Sequence, residues 1–170
     1  MWLIFQIAIL LILTAFVFTF GSVFFFGAPF APSKKSAIRI MLSFAEIKEG
    51  DIVAELGSGD GRLVIALAQA GAEVHGYEIN PFLVAFSRWR IRRAGLQHRA
   101  TIHRTSYWGD SFKKYTIVCI FGAPHIMRRL AKKLTEELQP GTKVICNTYK
   151  LPKWNIKKEY AKIYLYVLGG

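Results

Sequence analysis

The sequence predicts a doubly wound, mostly parallel α/β domain preceded by one N-terminal transmembrane helix. Residues 1–33 contain no charged side chain and no histidine, and the rest of the chain alternates short β-branched runs with amphipathic stretches. A glycine-rich turn joins the first such run to the stretch that follows it. Strands that alternate with helices at this spacing form parallel sheets with helices on both faces. With 170 residues in all, the chain has room for one such domain.

The leader is long enough to cross a bilayer. Residues 2–26 carry no charge, and as a helix they would extend about 37 Å, against a hydrocarbon core of about 30 Å. A cleaved signal peptide would have basic residues before its apolar run, and none precedes this one. We therefore expect an uncleaved anchor over residues 1–26, a Pro-rich connector over 27–33 and a globular domain over 34–170.

The charge distribution predicts which side of the membrane the domain occupies. Lys34, Lys35 and Arg39 follow the leader directly, so the positive-inside rule places the domain on the cytoplasmic side, or on a matrix-like side in an organelle. The net charge of +12 belongs entirely to the domain. It favours anionic surroundings, either a lipid surface or a nucleic acid, and the leader favours lipid.

The first elements of the domain follow from apolar spacing. Residues 36–44 show helical periodicity, and the apolar run 52–56 predicts a first strand. After the glycine turn, a helix over 62–70 ends at Gly71, and residues 73–78 form a second strand.

A third helix and two further strands come next. Asn80 is a good helix cap and Pro81 suits a first turn, so the helix begins there and runs to Gly95. Residues 100–103 predict a short strand. Residues 115–121 are β-branched and almost continuously apolar, which predicts a strand buried on both faces.

The C-terminal part completes the sheet. Residues 125–138 carry an apolar stripe at helical spacing, and a Pro-Gly pair ends that helix. A fifth strand is expected over 142–149, followed by a closing hairpin of 154–159 and 162–168.

The glycine turn is the strongest functional signal. It reads Glu55-Leu-Gly57-Ser-Gly59-Asp-Gly61 and lies where doubly wound sheets bind ligands. A dinucleotide loop would need glycine where Arg62 stands, and a Walker loop is absent. The carboxylate at position 55 disfavours a polyanion but suits a cationic ligand such as S-adenosylmethionine. Glu78, at the end of the second strand, is placed to accept hydrogen bonds from two ribose hydroxyls.

These residues resemble a known superfamily. The stretches 53–62 and 76–81 are similar to motifs I and post-I of class I, seven-β-strand S-adenosylmethionine-dependent methyltransferases, whose fold is Rossmann-like. The apolar leader, the connector 29–33 and the segment 121–124 more narrowly resemble a membrane-anchored family. That family contains the protein-lysine N-methyltransferases of the ADP/ATP translocase and the ATP synthase c-subunit, with prokaryotic relatives. The resemblance implies S-adenosylmethionine as cofactor and a lysine of a membrane protein as acceptor.

The resemblance also implies a set of site residues. Ser33 stands where the family often has Thr, and Ser106-Tyr-Trp108 stands where the family tends to have an acid before Trp. Asp110 is the alternative partner for the adenine amino group. The expected cofactor-binding residues are Ser33, Glu55, Gly57, Ser58, Gly59, Asp60, Gly61, Glu78, Ile79, Asn80, Ser106 and Trp108. The expected catalytic, acceptor-side residues are Phe121, Gly122, Ala123, Pro124 and Trp154.

The expected chemistry needs alignment and dehydration rather than an acid/base triad. Methyl transfer from a sulfonium is an in-line displacement. A lysine nucleophile must be neutral, and only about one in 2,500 is neutral at pH 7. An apolar pocket lowers the lysine pKa, and Phe121, Tyr149 and Trp154 are the candidate walls.

Two other function classes remain open on the sequence. A nucleic-acid methyltransferase would use basic residues as a phosphate footprint, although the motif for exocyclic-amine methylation is absent and neither cysteine follows a proline. The other class is a non-catalytic membrane adaptor with a methyltransferase fold. The candidate footprint is Arg88, Arg90, Arg92, Arg93, Arg128, Arg129, Lys132 and Lys133.

Metal and disulfide chemistry are not predicted. Cys119 and Cys146 lie in apolar stretches without CxxC or Cys/His spacing, and the four histidines are scattered over different elements.

Overall fold

The computed structural model describes residues 2, 4–14 and 33–169. The chain divides into two units, Met1–Ala31 and Pro32–Gly170. In the first unit, residues 4–14 form helix α1, and their side chains are exposed. Within the residues described, no helix combines the length and the apolarity needed to cross a membrane. The rest of the expected anchor, and residues 27–32 of the connector, lie outside the described residues.

The second unit is built on a mixed sheet, and this confirms the predicted mostly parallel α/β architecture. The described residues form seven strands in the order β3-β2-β1-β4-β5-β7-β6. Strands β1 to β5 are parallel, whereas β7 runs antiparallel to both β5 and β6. The strands are β1 (Ile52–Leu56), β2 (Glu73–Glu78), β3 (Ala100–Arg104), β4 (Ile117–Ile120), β5 (Lys143–Asn147), β6 (Lys158–Tyr160) and β7 (Ile163–Val167).

Helices cover both faces of the sheet, but unequally. Helices α2, α3 and α4 pack on one face around Val53, Val74 and Ile145. Helix α5 packs on the opposite face, where Phe112 and Tyr115 from the β3–β4 connection complete the core. In chain order these helices are α2 (Lys35–Ala45), α3 (Arg62–Gln69), α4 (Pro81–Arg93) and α5 (Pro124–Glu137).

Two elements near the C-terminus differ from their expected bounds. Strand β5 ends at Asn147 because Thr148 adopts a left-handed backbone conformation, with φ of 75°. Strand β6 begins at Lys158 rather than near residue 154. The preceding segment instead packs on β7, where the Leu151 amide donates to the Tyr166 hydroxyl at 3.1 Å. The closing hairpin itself is confirmed.

The carboxyl ends of β1, β2, β4 and β5 meet at one edge of the sheet, which we call the carboxyl edge. The glycine turn follows β1, Glu78 ends β2, Phe121 follows β4 and Asn147 ends β5. Most residues singled out from the sequence therefore belong to this edge.

Candidate cofactor and acceptor site

The glycine turn between β1 and α3 adopts a conformation that its glycines permit. Gly57, Gly59 and Gly61 have φ values of +79°, +53° and +73°, a region that side chains with a Cβ rarely adopt. The amides of Gly57 and Ser58 donate to the Tyr77 carbonyl at 3.0 and 2.9 Å. The turn is therefore held against the end of β2, with its backbone close to the carboxyl edge.

Two close approaches explain why small residues are needed here. A Cβ on Gly61 would lie 2.8 Å from the Cβ of Ser87 on α4. A Cβ on Gly76 in β2 would lie 2.8 Å from the Ser58 side chain and 2.7 Å from Ile102. Real Cβ contacts are longer, so Gly61 lets the turn approach α4 closely, and Gly76 lets the turn approach the sheet closely.

The Glu78 carboxylate ties the turn to β2. Its Oε2 accepts from the Gly59 amide at 2.9 Å, and its Oε1 accepts from the Asn80 amide at 2.8 Å. The side chain is only partly buried. Each carboxylate oxygen has a second lone pair, so the group can hold the turn and still accept from hydroxyls at the carboxyl edge. Its role toward ribose stays a prediction.

The Asp60 side chain ties the glycine turn to the neighbouring helices, and its role toward the cofactor stays a prediction. Its carboxylate accepts from the Arg62 guanidinium at 2.7 to 3.1 Å and from Arg90 at 2.8 Å. Burial would raise the pKa of Asp60, but the hydrogen bonds and charge of Arg62, together with the charge of Arg90, lower it. The geometry thus gives Asp60 a part in fixing the turn to α3 and α4.

Glu55 and Ser58 are buried and carry polar atoms without partners. Glu55 Oε2 and Ser58 Oγ make no hydrogen bond to any described residue. Burial, and then the charges of Asp60 and Glu78, raise the pKa of Glu55 well above its ordinary value, although the Val64 backbone opposes this. A buried carboxylate oxygen without a partner is costly. An unpaired acceptor beside the glycine turn fits a ligand that brings a cationic donor, as S-adenosylmethionine does.

The expected acceptor segment lies against the turn. The Phe121 carbonyl lies 3.9 Å from where a Cβ on Gly57 would be. Gly122 is buried, and a Cβ there would meet the Met127 sulfur at 2.7 Å. Ala123 and Pro124 then begin helix α5. The structure thus brings the start of this segment, at Phe121, beside the first glycine of the turn, as expected from their positions after β4 and β1.

Ser33 is also held in the second unit near this edge. Its carbonyl accepts from the Arg62 guanidinium at 3.0 Å, and its hydroxyl accepts from the Asn147 side-chain amide at 3.2 Å. Thr148 Oγ1 donates to Asn147 Oδ1 at 3.1 Å. Sequence reasoning missed Asn147 and Thr148. A buried polar residue at the end of an otherwise apolar strand is the signal that points to the first of them.

The remaining cofactor candidates differ in how they are placed. Ile79 is 38% exposed next to Glu78. The Asn80 side chain caps α4 by accepting from the amides of Phe82 and Leu83 at 2.9 and 3.3 Å. The Asn80 side chain therefore caps the helix, and its backbone amide binds the Glu78 carboxylate.

The segment after β3 carries the candidates for the adenine side. Ser106 is exposed and precedes a short 3₁₀ helix, Tyr107–Gly109. The Trp108 ring is partly buried, with the Arg129 guanidinium 4.1 Å from its centre. The Asp110 carbonyl accepts from the Lys133 amine at 2.8 Å.

Trp154 belongs to the core on the α5 side of the sheet. Its ring packs edge to face on Tyr166, with centroids 5.9 Å apart, and Tyr149 joins the same cluster. Both aromatic side chains are partly buried. Their contact with an acceptor lysine stays a prediction.

The residues that the structure describes contain no group of three His, Cys, Asp or Glu side chains able to hold a metal ion. Cys119 and Cys146 are buried free thiols.

Comparison with known proteins places the chain in a family. The family model of the ANTKMT methyltransferase domain matches residues 55–158. The chain belongs to this family. The match covers the glycine turn, Glu78 and residues 121–124, and it confirms the family resemblance.

Named relatives of this methyltransferase domain agree with the assignment. The lysine N-methyltransferase of the ATP synthase c-subunit from Xenopus laevis is 40% identical over 126 residues, covering 74% of this chain and 55% of the relative. A protein-lysine N-methyltransferase of Saccharolobus islandicus is 32% identical over 152 residues, covering 83% and 94%. The chain thus spans about half the length of the vertebrate relative and nearly all of the archaeal one.

Solved structures show the same fold. An RNA methyltransferase from Salinibacter ruber, in complex with S-adenosyl-L-homocysteine, superposes with a TM-score of 0.75 at 29% identity. The alignment covers 81% of this chain and 92% of that one. The seven-stranded sheet of the described residues is therefore the class I methyltransferase α/β fold.

Proposed function

We propose that the chain is a membrane-associated, S-adenosylmethionine-dependent protein-lysine N-methyltransferase. One juxtaposition carries the proposal. At the carboxyl edge, a glycine turn tied to Glu78 lies beside Glu55, whose Oε2 is buried without a partner, and the Phe121 carbonyl lies close to Gly57. In this proposal the cofactor side and the acceptor side meet at Gly57. The family match and the named lysine methyltransferases support the reaction class.

The residues of the turn fit S-adenosylmethionine. Glu78 would accept from the ribose hydroxyls, and the Glu55 carboxylate would face the cationic end of the ligand, with the turn backbone between them. Ile79 supplies apolar surface next to Glu78. When bound, the cofactor supplies an electrophilic methyl group on a sulfonium.

The chain's own residues then align and dehydrate the acceptor. An incoming lysine would pass Phe121 and the segment up to Pro124, where apolar surroundings lower its pKa and favour the neutral amine. Aligning the amine with the methyl group supplies most of what an in-line displacement needs. Tyr149 and Trp154 are the proposed outer walls around the lysine stem.

We further propose that the acceptor is a lysine of a membrane protein, close to the bilayer surface. Residues 1–26 would act as a single-pass anchor, with the domain on the cytoplasmic or matrix-like side. The short Pro-rich connector, 27–33, keeps the domain near the headgroups, and such tethering raises its effective concentration for membrane substrates to about the millimolar range. Alkaline carbonate washing tests this proposal. Release of the full chain would contradict a spanning anchor, and a protease-accessible C-terminus in sealed right-side-out membranes would contradict the orientation.

A labelling experiment tests the activity. The full-length protein is incubated with tritiated S-adenosylmethionine and membranes from its source, then treated with RNase or protease. We expect protease-sensitive, RNase-resistant label that is recovered as methyl-lysine after hydrolysis. The Glu78→Ala variant should lose this label, and Glu49→Ala, a matched change of an exposed carboxylate, should keep it.

RNA methylation is the second candidate function. It is favoured by the net charge of +12 and by the solved structure named as an RNA methyltransferase. Label removed by RNase would select this function over the first. Cofactor binding without label in either fraction would instead favour a non-catalytic membrane adaptor.

A further inference from the structure

Helix α4 carries a row of exposed aromatic side chains on its outer face. Phe82, Phe86 and Trp89 are 69%, 48% and 50% exposed, and their spacing of four and three residues places them in one line along the helix. The inner face, with Val84 and Ile91, packs on the sheet. The row is therefore additional to the contacts that hold α4 in the fold.

Arginines flank and extend this row. Arg93 lies on the same line as Trp89, with its guanidinium 5.5 Å from the ring centre, and Arg92 is exposed beside it. The sequence of α4 contains no acidic residue, and neither arginine forms an ion pair with a carboxylate among the described residues. We call Phe82, Phe86, Trp89, Arg92 and Arg93 the α4 stripe.

The other two arginines of α4 point back to the fold. Arg88 donates to the Ile102 carbonyl at 2.7 Å, and Arg90 binds Asp60 of the glycine turn. Helix α5, which carries the remaining members of the basic set, packs on the opposite face of the sheet. The eight basic residues expected as one footprint are thus divided between two faces, and only the α4 group is combined with exposed aromatic rings.

We propose that the α4 stripe lies in the interface of an anionic bilayer and holds the domain against it as a second contact beside the leader. Aromatic rings with neighbouring arginines suit this environment, because the rings enter the headgroup region while the guanidinium groups meet lipid phosphates. The apolar, uncharged residues 1–33 of the same chain point to the same surface.

Ring packing disfavours single-stranded RNA as the occupant. A nucleic-acid platform offers free ring faces on which bases stack. Here Phe86 and Trp89 stack on each other, with centroids 5.7 Å apart and planes 22° apart. Arg90 and Arg93 lie near the same two rings, at 5.8 and 5.5 Å. The stripe therefore presents a continuous convex surface rather than separated ring faces.

Docking through the α4 stripe does not depend on which acceptor is methylated. Helix α4 starts at Asn80, directly after Glu78, so its N-terminal end adjoins the carboxyl edge. Seating the stripe in the lipid interface would bring that edge to the membrane, where the proposed acceptor lysine lies.

A fluorescence experiment on the full chain tests the stripe directly. An Ala85→Cys variant carries an environment-sensitive dye beside the stripe, and Thr135→Cys carries it on the exposed side of α5. The native cysteines are buried and do not compete for the label. With vesicles rich in phosphatidylserine we expect a blue shift, and quenching by lipid-borne spin labels, at position 85 but not at 135. Solvent-like emission at both positions would overturn the proposal.

Variants of the arginines and of the aromatic residues separate the electrostatic and the apolar contribution to lipid binding. Each arginine near an anionic leaflet is worth about fivefold in the binding constant, so Arg92→Gln/Arg93→Gln should reduce the ratio of lipid-bound to free dye at position 85 by about 25-fold. Arg128→Gln/Lys132→Gln removes two positive charges from α5 instead and should leave the amount of lipid-bound dye at position 85 unchanged. Phe86→Ser/Trp89→Ser should abolish the shift. Equal effects of the two charge variants would overturn the inference.

Other occupants of the stripe give distinct results. A dye shift produced by RNA but not by vesicles would replace the bilayer with a nucleic acid and overturn the proposal. Without lipid, the dye shift could instead rise with protein concentration, and sedimentation could show a dimer. This result would assign the stripe to a second copy of the chain and would also overturn the proposal. Because none of these readouts measures methyl transfer, failure here leaves the proposed activity untouched.

Discussion

Replacing Gly61 with alanine should destabilise the domain through one identifiable contact. The new methyl group would lie 2.8 Å from Ser87 Cβ and 3.5 Å from Ser87 Cα, and Ser87 is fully buried in α4. Crowding of this kind costs about 1–3 kcal/mol. The left-handed φ of +73° adds about 1 kcal/mol. We therefore expect the free energy of unfolding to fall by about 2–4 kcal/mol, a large part of the usual 5–15 kcal/mol.

Gly95→Ala is the matched control. Gly95 has φ of +70°, but nothing lies within 4 Å of its added Cβ. Gly95→Ala introduces the same backbone strain as Gly61→Ala and the same entropy change in the unfolded chain. It should therefore lower the free energy of unfolding by only about 1 kcal/mol. The difference between the two variants isolates the contact with α4.

Urea denaturation of the full chain, followed by tryptophan fluorescence, measures both free energies. In a Ser87→Gly background, Gly61→Ala should cost about 1–3 kcal/mol less than in the native background, because the opposing Cβ is gone. Equal costs for Gly61→Ala and Gly95→Ala, or no relief by Ser87→Gly, would refute the role given to this close approach.

Three further predictions concern the site and the core. Glu78→Ala should weaken S-adenosylmethionine binding thirty- to hundredfold, roughly 2–3 kcal/mol, because the two ribose hydroxyls lose the carboxylate that accepts from both. Calorimetry measures this affinity, and an unchanged value would remove Glu78 from the cofactor site. Asp60 has a folded-state pKa below its unfolded value, so its ion pairs stabilise the fold above about pH 4 and lose this effect as pH falls through the lower value. Asp60→Asn should therefore flatten the decline of the urea midpoint in acid, and an unaltered acid slope would contradict the ion-pair account. Tyr115→Phe removes a buried 2.7 Å hydrogen bond to the Tyr77 hydroxyl and should lower the free energy of unfolding by about 1–3 kcal/mol. A change within experimental error would show that the Tyr77 hydroxyl finds another partner.

The parts of the site that sequence reasoning predicted are local in the chain. The glycine turn, Glu78 and the Asn80 cap each depend on residues within a few positions of one another, or on the end of a strand. Their conformations follow from glycine freedom and from capping, which act over short distances.

What sequence reasoning missed depends on residues far apart. The bond between Asn147 and Ser33 joins positions 114 residues apart, and the Arg90 pair with Asp60 spans 30 residues. Asp60 was expected at the cofactor from its position in the motif, and the ion pairs that its carboxylate forms with Arg62 and Arg90 were not predicted. Likewise, β5 ends early because Thr148, a β-branched residue, is held in a left-handed conformation that its identity disfavours.

Helix α2 also has consequences for how the chain folds during synthesis. It precedes the first strand, but it packs against β5 and β7 as well as α3, and the Lys143 amine bonds to the Ala45 carbonyl across 98 residues. At about 5–20 residues per second, these partners leave the ribosome roughly 5–20 s after the helix does. Met41, almost fully buried in the finished domain, lacks part of its cover during that interval. The helix that begins the domain is thus among the last to gain all its neighbours, and a nascent chain stalled before β7 would expose its apolar face to chaperones.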